Sequence, residues 1–358
     1  PNPQSPIPNP QSPLYFNNIK IISNSNHSLN IILNLFLYFL PFKVKMVEIS
    51  DINKLNNKIS SFKKVYNSKE NINEILYITD FDYTITRKFN YITGERFHNT
   101  YSIYNQDAFD GDQTSFLAED KRLFDLYGKY EDDTSIDYET RKNKSFEWYK
   151  LSLINMSNEK IKKESFKKMV ELSFENIKFR NEIKTLFEIL IKENIPIIII
   201  SGGIKEIIIE TLKKLNIDGF ESYLDKKRLI VIANSLLDEN DKIKNWNEKE
   251  NENEIIYPFN KNIIIKKDLE KYFIGFKNII IAGDLISDYN SINEIEIDKE
   301  KNVIAFGFLE YNPKKIKSNF NYKEDSMFKE YISIFDAVFV NDQGYQYIID
   351  VIKKIFSK

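Results

Sequence analysis

What constrains this chain most is a series of short, uninterrupted apolar runs: Ile75–Thr79, Pro196–Ile200, Leu229–Ala233, Asn278–Ala282, Val303–Phe306 and Ala337–Val340. A strand with one wet face alternates apolar and polar side chains, whereas a continuous run belongs to a strand covered on both faces. Helical patterns separate most of the runs, clearest at Phe179–Lys192, Ile204–Asn216, Phe328–Ile334 and Tyr345–Phe356. Buried strands alternating with helices predict an α/β fold built on a Rossmann-like parallel sheet.

One interval breaks the alternation. Between Thr79 and Ile197 the chain carries helical patterns around Phe116–Tyr130, Arg141–Met156 and Glu159–Asn176, and no strand pattern. This predicts a helical cap at residues 96–177 inserted into a core made of residues 46–95 and 178–358. The core is expected to open with a helix just after Met46, because Ile49, Ile52, Leu55, Ile59, Phe62 and Val65 recur at three- and four-residue spacings. The charged, Asn-rich stretch Asp238–Glu254 reads as a flexible loop.

Residues 1–45 have a different character. The first 13 hold six of the ten prolines in a doubled unit, PNPQSPI then PNPQSPL, which favours extended geometry without a core. The apolar run Ile31–Phe42 is twelve residues long, where a spanning helix needs roughly 17–25. Only Lys20 precedes that run and no small-x-small cleavage site follows it, against a signal peptide. Residues 1–45 are expected to be a disordered or non-native tail, and the protein to be cytoplasmic with no membrane partner.

Composition removes whole chemistries. Without cysteine there is no thiolate nucleophile or thiolate metal site, and with only His27 and His98 there is no multi-histidine centre. Neither GxGxxG nor GxxxxGK[ST] occurs among the ten glycines. The 51 basic residues are balanced by 53 acidic ones, so no basic excess marks a nucleic-acid-binding surface. Acid–base chemistry must then rest on carboxylates and lysines.

Three strand ends carry such groups. Ile78-Thr79 runs into Asp80-Phe81-Asp82-Tyr83-Thr84, a DxDxT at the carboxyl end of a strand, where open α/β sheets place their ligands. One Asp can attack while the other handles protons. Ile197–Ile200 ends in Ser201-Gly202-Gly203, offering a hydroxyl and backbone amides to an anion at the start of a helix. Ile279–Ala282 ends in Gly283-Asp284-Leu285-Ile286-Ser287-Asp288, whose carboxylates suit an oxygen-seeking ion such as Mg²⁺. Taken singly, each pattern is also a common turn or helix cap. In this order they converge on a phosphate and a metal in one crevice.

The order resembles the haloacid-dehalogenase-like phosphohydrolases. Within them, TDFDYTIT, Gly94-Glu95-Arg96, Phe146-Glu147-Trp148-Tyr149, ISGGI, Phe259-Asn260-Lys261, AGDLISD and the tail FDAVFVND are similar to the cytosolic pyrimidine 5′-nucleotidase family, also called cytosolic 5′-nucleotidase III. The resemblance covers nearly all of residues 74–357. It implies a Mg²⁺-dependent enzyme that hydrolyses nucleoside 5′-monophosphates, either pyrimidine ones such as UMP and CMP or 7-methylguanosine monophosphate. Asp80 would be the nucleophile that forms an aspartyl-phosphate and Asp82 the acid and then base. Ser201 and Gly202 would hold the phosphoryl oxygens, and Lys261 would neutralise charge, with Lys266 and Lys267 as rivals for that role. Mg²⁺ would sit among Asp80, the Asp82 carbonyl, Asp284 and Asp288. The resemblance further implies that Glu147 and Tyr101 meet the base, with Trp148 and Tyr149 in the core of the cap. A monomer is favoured, and the cap is expected to move.

Two departures from the family pattern stand out. The family commonly has Ser-Ala-Gly after the second strand, with a small residue and Asp further on, where this chain has Gly202, Lys205 and Glu206; Ser287 replaces a common glycine. Alternative readings are another capped phosphatase of the superfamily, acting on phosphoserine or a sugar phosphate, and a catalytically silent binding protein.

Overall fold

A computed structural model describes residues 46–68, 75–103, 114–133, 135–157, 162–246, 254–261, 276–292, 302–314, 316, 320–341 and 343–357. The expected tail at 1–45 and the rival lysines Lys266 and Lys267 lie outside the described residues.

Seven strands form one sheet: β1 (Met46–Ile49), β2 (Ile75–Thr79), β3 (Ile197–Ile204), β4 (Leu229–Asn234), β5 (Asn278–Gly283), β6 (Asn302–Leu309) and β7 (Ala337–Val340). Their spatial order is β1-β7-β6-β5-β2-β3-β4, all parallel except β1, which lies antiparallel on β7. All residues of β2, β3 and β5 are buried, as their unbroken apolar sequence requires. Alternation survives between faces: Ile75, Tyr77, Ile197, Ile199 and Ile280 join one hydrophobic cluster, and Leu76, Ile78, Ile198, Ile200 and Ile279 join the other.

The expected helix at Met46 begins later. Met46–Ile49 is the edge strand, paired with Val340 through Ala337. Asp51 then caps α1 (Ile52–Asn67), its side chain accepting from the Asn53 and Lys54 amides. Leu55, Ile59 and Phe62 form its buried face, while Ile52 is half exposed and Ile49 belongs to the sheet. Helical periodicity runs across this boundary because strand and helix both turn apolar residues inward.

Between β2 and β3 lie α2 (Thr114–Tyr127), α3 (Lys129–Asp132), α4 (Tyr138–Ser157) and α5 (Lys163–Ser173). The remaining α-helices among the described residues are α6 (Ile183–Lys192), α7 (Lys205–Lys213), α8 (Phe220–Asp225), α9 (Ile286–Asn290), α10 (Ser326–Ile334) and α11 (Gln346–Phe356). The inserted helices share their apolar cluster with the core: Phe116, Leu153, Met156, Phe166, Met169 and Val170 pack together with Ile204 at the end of β3, Ile207 on the helix after it, and Leu236, Leu237, Trp246 and Ile255 beyond β4. Residues 45–358 accordingly form one compact unit.

The stretch expected as a loose loop from Asp238 is ordered through Trp246. Asp238 accepts from the Asn240 and Lys242 amides, Leu237 bridges to Ile243, and Trp246 is buried. Its charges sit on a closed turn whose flanks are apolar. No described helix is long and apolar enough to cross a membrane.

Candidate active site

The register of the sheet assembles the site. Thr79 lies opposite both Ile199 and Ala282, so the chains leaving β2, β3 and β5 emerge level with one another. Asp80, Ser201 and Asp284 follow these residues on one rim. The strand order runs outward from β2 through β3 to β4, and on its other side through β5 to β6, which makes β2 the point where open α/β sheets leave a crevice.

Asp80 is buried and its Oδ1 accepts from Lys261 Nζ at 2.8 Å. The same ammonium donates to Asp288 Oδ1 at 2.6 Å, and Asp288 Oδ2 accepts from the Leu285 amide at 2.9 Å. Lys261 is placed by its neighbour: Asn260, fully buried, accepts from the Tyr257 amide and donates to the Ile255 carbonyl. Burial works against the Lys261 charge, but the Asp288 and Asp80 carboxylates outweigh it and raise its pKa. Asp80 itself is pushed up to about 7, first by burial, against which Lys261 pulls, with Asp288 adding repulsion. Gly283 is required here, because a Cβ would collide with the Asp288 side chain.

Asp82 lines the same cavity and is held from a different segment. Its Oδ1 accepts from the Thr100 amide at 3.0 Å and its Oδ2 from the Thr100 hydroxyl at 2.6 Å. Burial raises it to about 6, although both Thr100 bonds favour the charged form. A Cβ at Gly203 would collide with Thr100 Oγ1 and come within 2.9 Å of Asp82 Oδ2, so only glycine lets β3 pass this close.

Ser201 and Gly202 lie on the end of β3, where its pairing with β4 is interrupted between Ile200 and Ile204. The sequence placed them at a helix start; the helix begins only at Lys205, and the interrupted register shapes the turn instead. Ser201 Oγ accepts from the Gly203 amide at 3.0 Å. Asn234 Nδ2 and Tyr101 Oη both donate to the Gly202 carbonyl, at 2.7 and 3.0 Å, which fixes the peptide plane beyond it. The departures at Lys205 and Glu206 are accommodated away from this turn, since Glu206 accepts from the Leu236 and Leu237 amides.

A cavity of about 390 Å³ opens over these groups and is lined by Asp80, Asp82, Ser201 and Lys261. Aromatic Tyr101, Phe124, Trp148 and Tyr149 line it as well, together with Glu131. Tyr149 Oη donates to Glu131 Oε1 at 3.0 Å, and the Tyr101 and Tyr149 rings meet edge to face. Glu147 does not join them. It is 44% exposed and paired with Lys144 at 2.8 Å, and it does not line the cavity. Trp148 and Tyr149, expected as cap core, do line it.

The donor set fits a divalent cation. Carboxylate oxygens of Asp80, Asp284 and Asp288 lie within 4.8 Å of one another, all hard oxygen ligands of the kind Mg²⁺ takes. Burial, then the Asp80 and Asp288 charges, raise Asp284 well above the usual carboxylate range. Three carboxylates thus crowd one lysine, an excess of negative charge that a cation would relieve.

Residues 83–356 match the family model described as pyrimidine 5′-nucleotidase (UMPH-1). The chain belongs to this family. It is 23% identical over 289 residues to the 7-methylguanosine phosphate-specific 5′-nucleotidase A of Xenopus laevis, covering 78% of this chain and 87% of that one. It is 25% identical over 293 residues to a putative cytosolic 5′-nucleotidase 3 of Caenorhabditis elegans, covering 77% and 68%. Among solved structures it is similar to cytosolic 5′-nucleotidase IIIB bound to cytidine, with a TM-score of 0.64, 20% identity, and coverage of 89% of this chain and 97% of that one. The fold is that of the haloacid-dehalogenase-like hydrolases, and the chain is an enzyme of 5′-nucleotidase type, hydrolysing nucleoside monophosphates.

For this 5′-nucleotidase, the sequence motifs carried Asp80, Asp82, Ser201, Gly202, Lys261, Asp284 and Asp288, and the fold brings all seven to one rim. Sequence reasoning missed Thr100, Asn234 and Glu131. Asn234 ends a strand pattern and could have been found as a polar terminus beside the other three; Thr100 and Glu131 carry no local signal.

Proposed function

We infer that this nucleotidase works by two phosphoryl transfers through Asp80. The Asp80 carboxylate attacks phosphorus, the bond from phosphorus to O5′ breaks, and Asp82 gives its proton to the departing nucleoside oxygen. Asp82, now a carboxylate, takes a proton from water as that water attacks the aspartyl-phosphate, which releases phosphate and restores Asp80. Ser201, the Gly202 amide and Lys261 hold the phosphoryl oxygens and offset their charge. Asp80, the Asp82 carbonyl, Asp284 and Asp288 would hold Mg²⁺, which when bound supplies further charge stabilisation to the phosphoryl group.

The observation that carries this reading is that two neighbouring carboxylates are held by different partners. Asp80 faces Lys261, which suits a nucleophile near an anion. Asp82 faces Thr100 and is raised to about 6, which suits a group that must carry a proton near neutral pH.

Within the cavity, Glu131 rather than Glu147 meets the base, and the helices from Thr114 to Ser173 act as the specificity cap. Aromatic rings beside a carboxylate suit a flat base that offers amino hydrogens or a positive charge, as cytosine or 7-methylguanine does. A relative named as a cytosolic 5′-nucleotidase supports a cytosolic setting.

Phosphate release from UMP, CMP, 7-methyl-GMP, AMP and phosphoserine, with Mg²⁺ or with EDTA, tests the reading. Metal-dependent release from one of the first three, abolished in Asp80→Asn, is expected. Release from phosphoserine alone would overturn the base recognition, and undiminished release by Asp80→Asn would overturn the nucleophile.

A further inference from the structure

A buried ion pair sits behind the catalytic loop, and no step of the chemistry uses it. Arg180, 1% exposed, reaches from the segment before α6 and pairs with Glu310, which is equally enclosed just after β6. A charge taken this far from water is retained only where its geometry is fully used. The guanidinium uses it: Nε donates to the Thr84 carbonyl at 2.9 Å, Nη2 to the Tyr83 carbonyl at 2.7 Å and Nη1 to the Gln343 carbonyl at 3.0 Å. Its face lies 4.2 Å from the centre of the Phe308 ring. Glu310 in turn accepts from the Lys88 and Phe89 amides and from the Tyr91 hydroxyl.

These contacts bracket a single loop. Tyr83 and Thr84 are the two residues directly after Asp82, and Lys88 and Phe89 are where the same loop departs. Tyr83 has φ of +65°, a conformation that non-glycine residues rarely hold without external support, and its carbonyl is the one Nη2 grips. A second donor, Tyr345 Oη, also reaches the Thr84 carbonyl at 3.0 Å. The Arg180 amide bonds to the Ile85 carbonyl as well, so backbone and side chain of one residue hold three successive carbonyls.

We propose that Arg180, backed by Glu310, is a positioning residue for catalysis: its fork sets the backbone after Asp82 and thereby the aim of Asp80 and Asp82 at phosphorus. The inference rests on the roles given to those two aspartates above. Ser201, Gly202 and Lys261 are anchored elsewhere, through Asn234 and Asn260. Phosphate binding is therefore separable from aim. A lysine at 180 keeps the charge opposite Glu310 and cannot span two carbonyls.

The test measures kcat and KM on the best nucleotide of the panel at 10 °C, normalised to the folded fraction from circular dichroism, for wild type, Arg180→Lys, Tyr345→Phe and Asp80→Asn. Misplacement of reacting groups by about an ångström lowers rates by about 100-fold. Arg180→Lys is expected to lose about that in kcat per folded molecule with KM within about twofold. Tyr345→Phe, which removes one hydroxyl from the same carbonyl, is expected to lose about three- to tenfold in kcat, again with KM kept. If Arg180→Lys does not fold, Tyr345→Phe decides alone. Wild-type kcat per folded molecule in the variants, with only a lower melting temperature, would overturn the proposal and leave a structural pair. An Asp80→Asn protein with full activity would instead remove the nucleophile assignment, and this inference with it.

Discussion

Both oxygens of Asp82 are held by one residue: the Thr100 amide donates to Oδ1 and the Thr100 hydroxyl to Oδ2, at 3.0 and 2.6 Å. The two bonds favour the ionised carboxylate, and burial opposes them and wins. The proton on Asp82 is therefore set first by burial and moderated by a residue eighteen positions away along the chain.

Removing that hydroxyl shifts the balance further. Thr100→Val keeps the side-chain shape and withdraws the donor to the charged form, so the Asp82 pKa rises. The alkaline limb of kcat/KM, where Asp82 loses the proton it must donate, is expected to move to higher pH. General acid–base contributions of 10²–10⁴ fall in part when the group is mis-aimed, and kcat is expected to drop about tenfold at neutral pH. A pH–rate profile of the variant beside wild type checks both.

The raised Asp82 pKa also predicts a stability effect, read in EDTA. The folded protein holds the Asp82 proton up to about 6, whereas the unfolded chain releases it near 3.8. Between these values the folded state binds more protons, so this group's contribution is present at low pH and is lost as pH rises through about 6. Asp82→Asn cannot titrate. Its melting temperature relative to wild type is expected to climb from about pH 4 to about pH 6 and then level off. Thermal melts across that range measure the difference, and a flat difference would contradict the shift.

Glu131 and Glu147 separate cleanly. Loss of a hydrogen bond to a charged group is worth about 1.5–3 kcal/mol, so Glu131→Gln is expected to raise KM about tenfold or more for a base offering amino hydrogens or positive charge. Glu147→Gln, which breaks an exposed pair with Lys144, is expected to leave kcat and KM within about twofold. Steady-state kinetics on the two variants decides which carboxylate meets the base.

Gly203→Ala tests how closely β3 passes the acid–base group. The added methyl meets Thr100 Oγ1 and Asp82 Oδ2, and overpacking costs about 1–3 kcal/mol. A fall in kcat of about 10- to 100-fold is expected, with stability reduced by about that energy in a denaturant titration.

What the sequence made legible follows from burial. Strands covered on both faces must be apolar throughout, so β2, β3 and β5 stand out, and the polar residues ending them mark the rim. Met46–Ile49 was misread because four residues are too few to distinguish a strand period from the helix that follows. Glu147, expected at the base, lies off the cavity because a motif fixes position along the chain and leaves the helix face open. On α4 the buried residues are Ser145, Ser152, Leu153 and Met156, and a residue two places from Ser145 is turned about 200° away from it at 100° per residue. Thr100 and Arg180 were invisible for a different reason: each acts on a loop that sequence separation hides and only the folded chain brings near.

The apolar cluster shared by the inserted helices and the core bears on how the site can adjust. Swinging the helices away as a rigid lid would bring Phe166, Met169, Leu236 and Trp246 into water together. Each such side chain costs about 1.5–3 kcal/mol to expose, so the fully parted state is disfavoured by several kcal/mol. Phe124, half exposed, and Trp148 both line the cavity and meet edge to face at 6.0 Å, so rotation of these two rings would reshape it without parting the cluster. The cheapest adjustment of such a site is made by side chains at its rim, with the packed wall behind them kept intact.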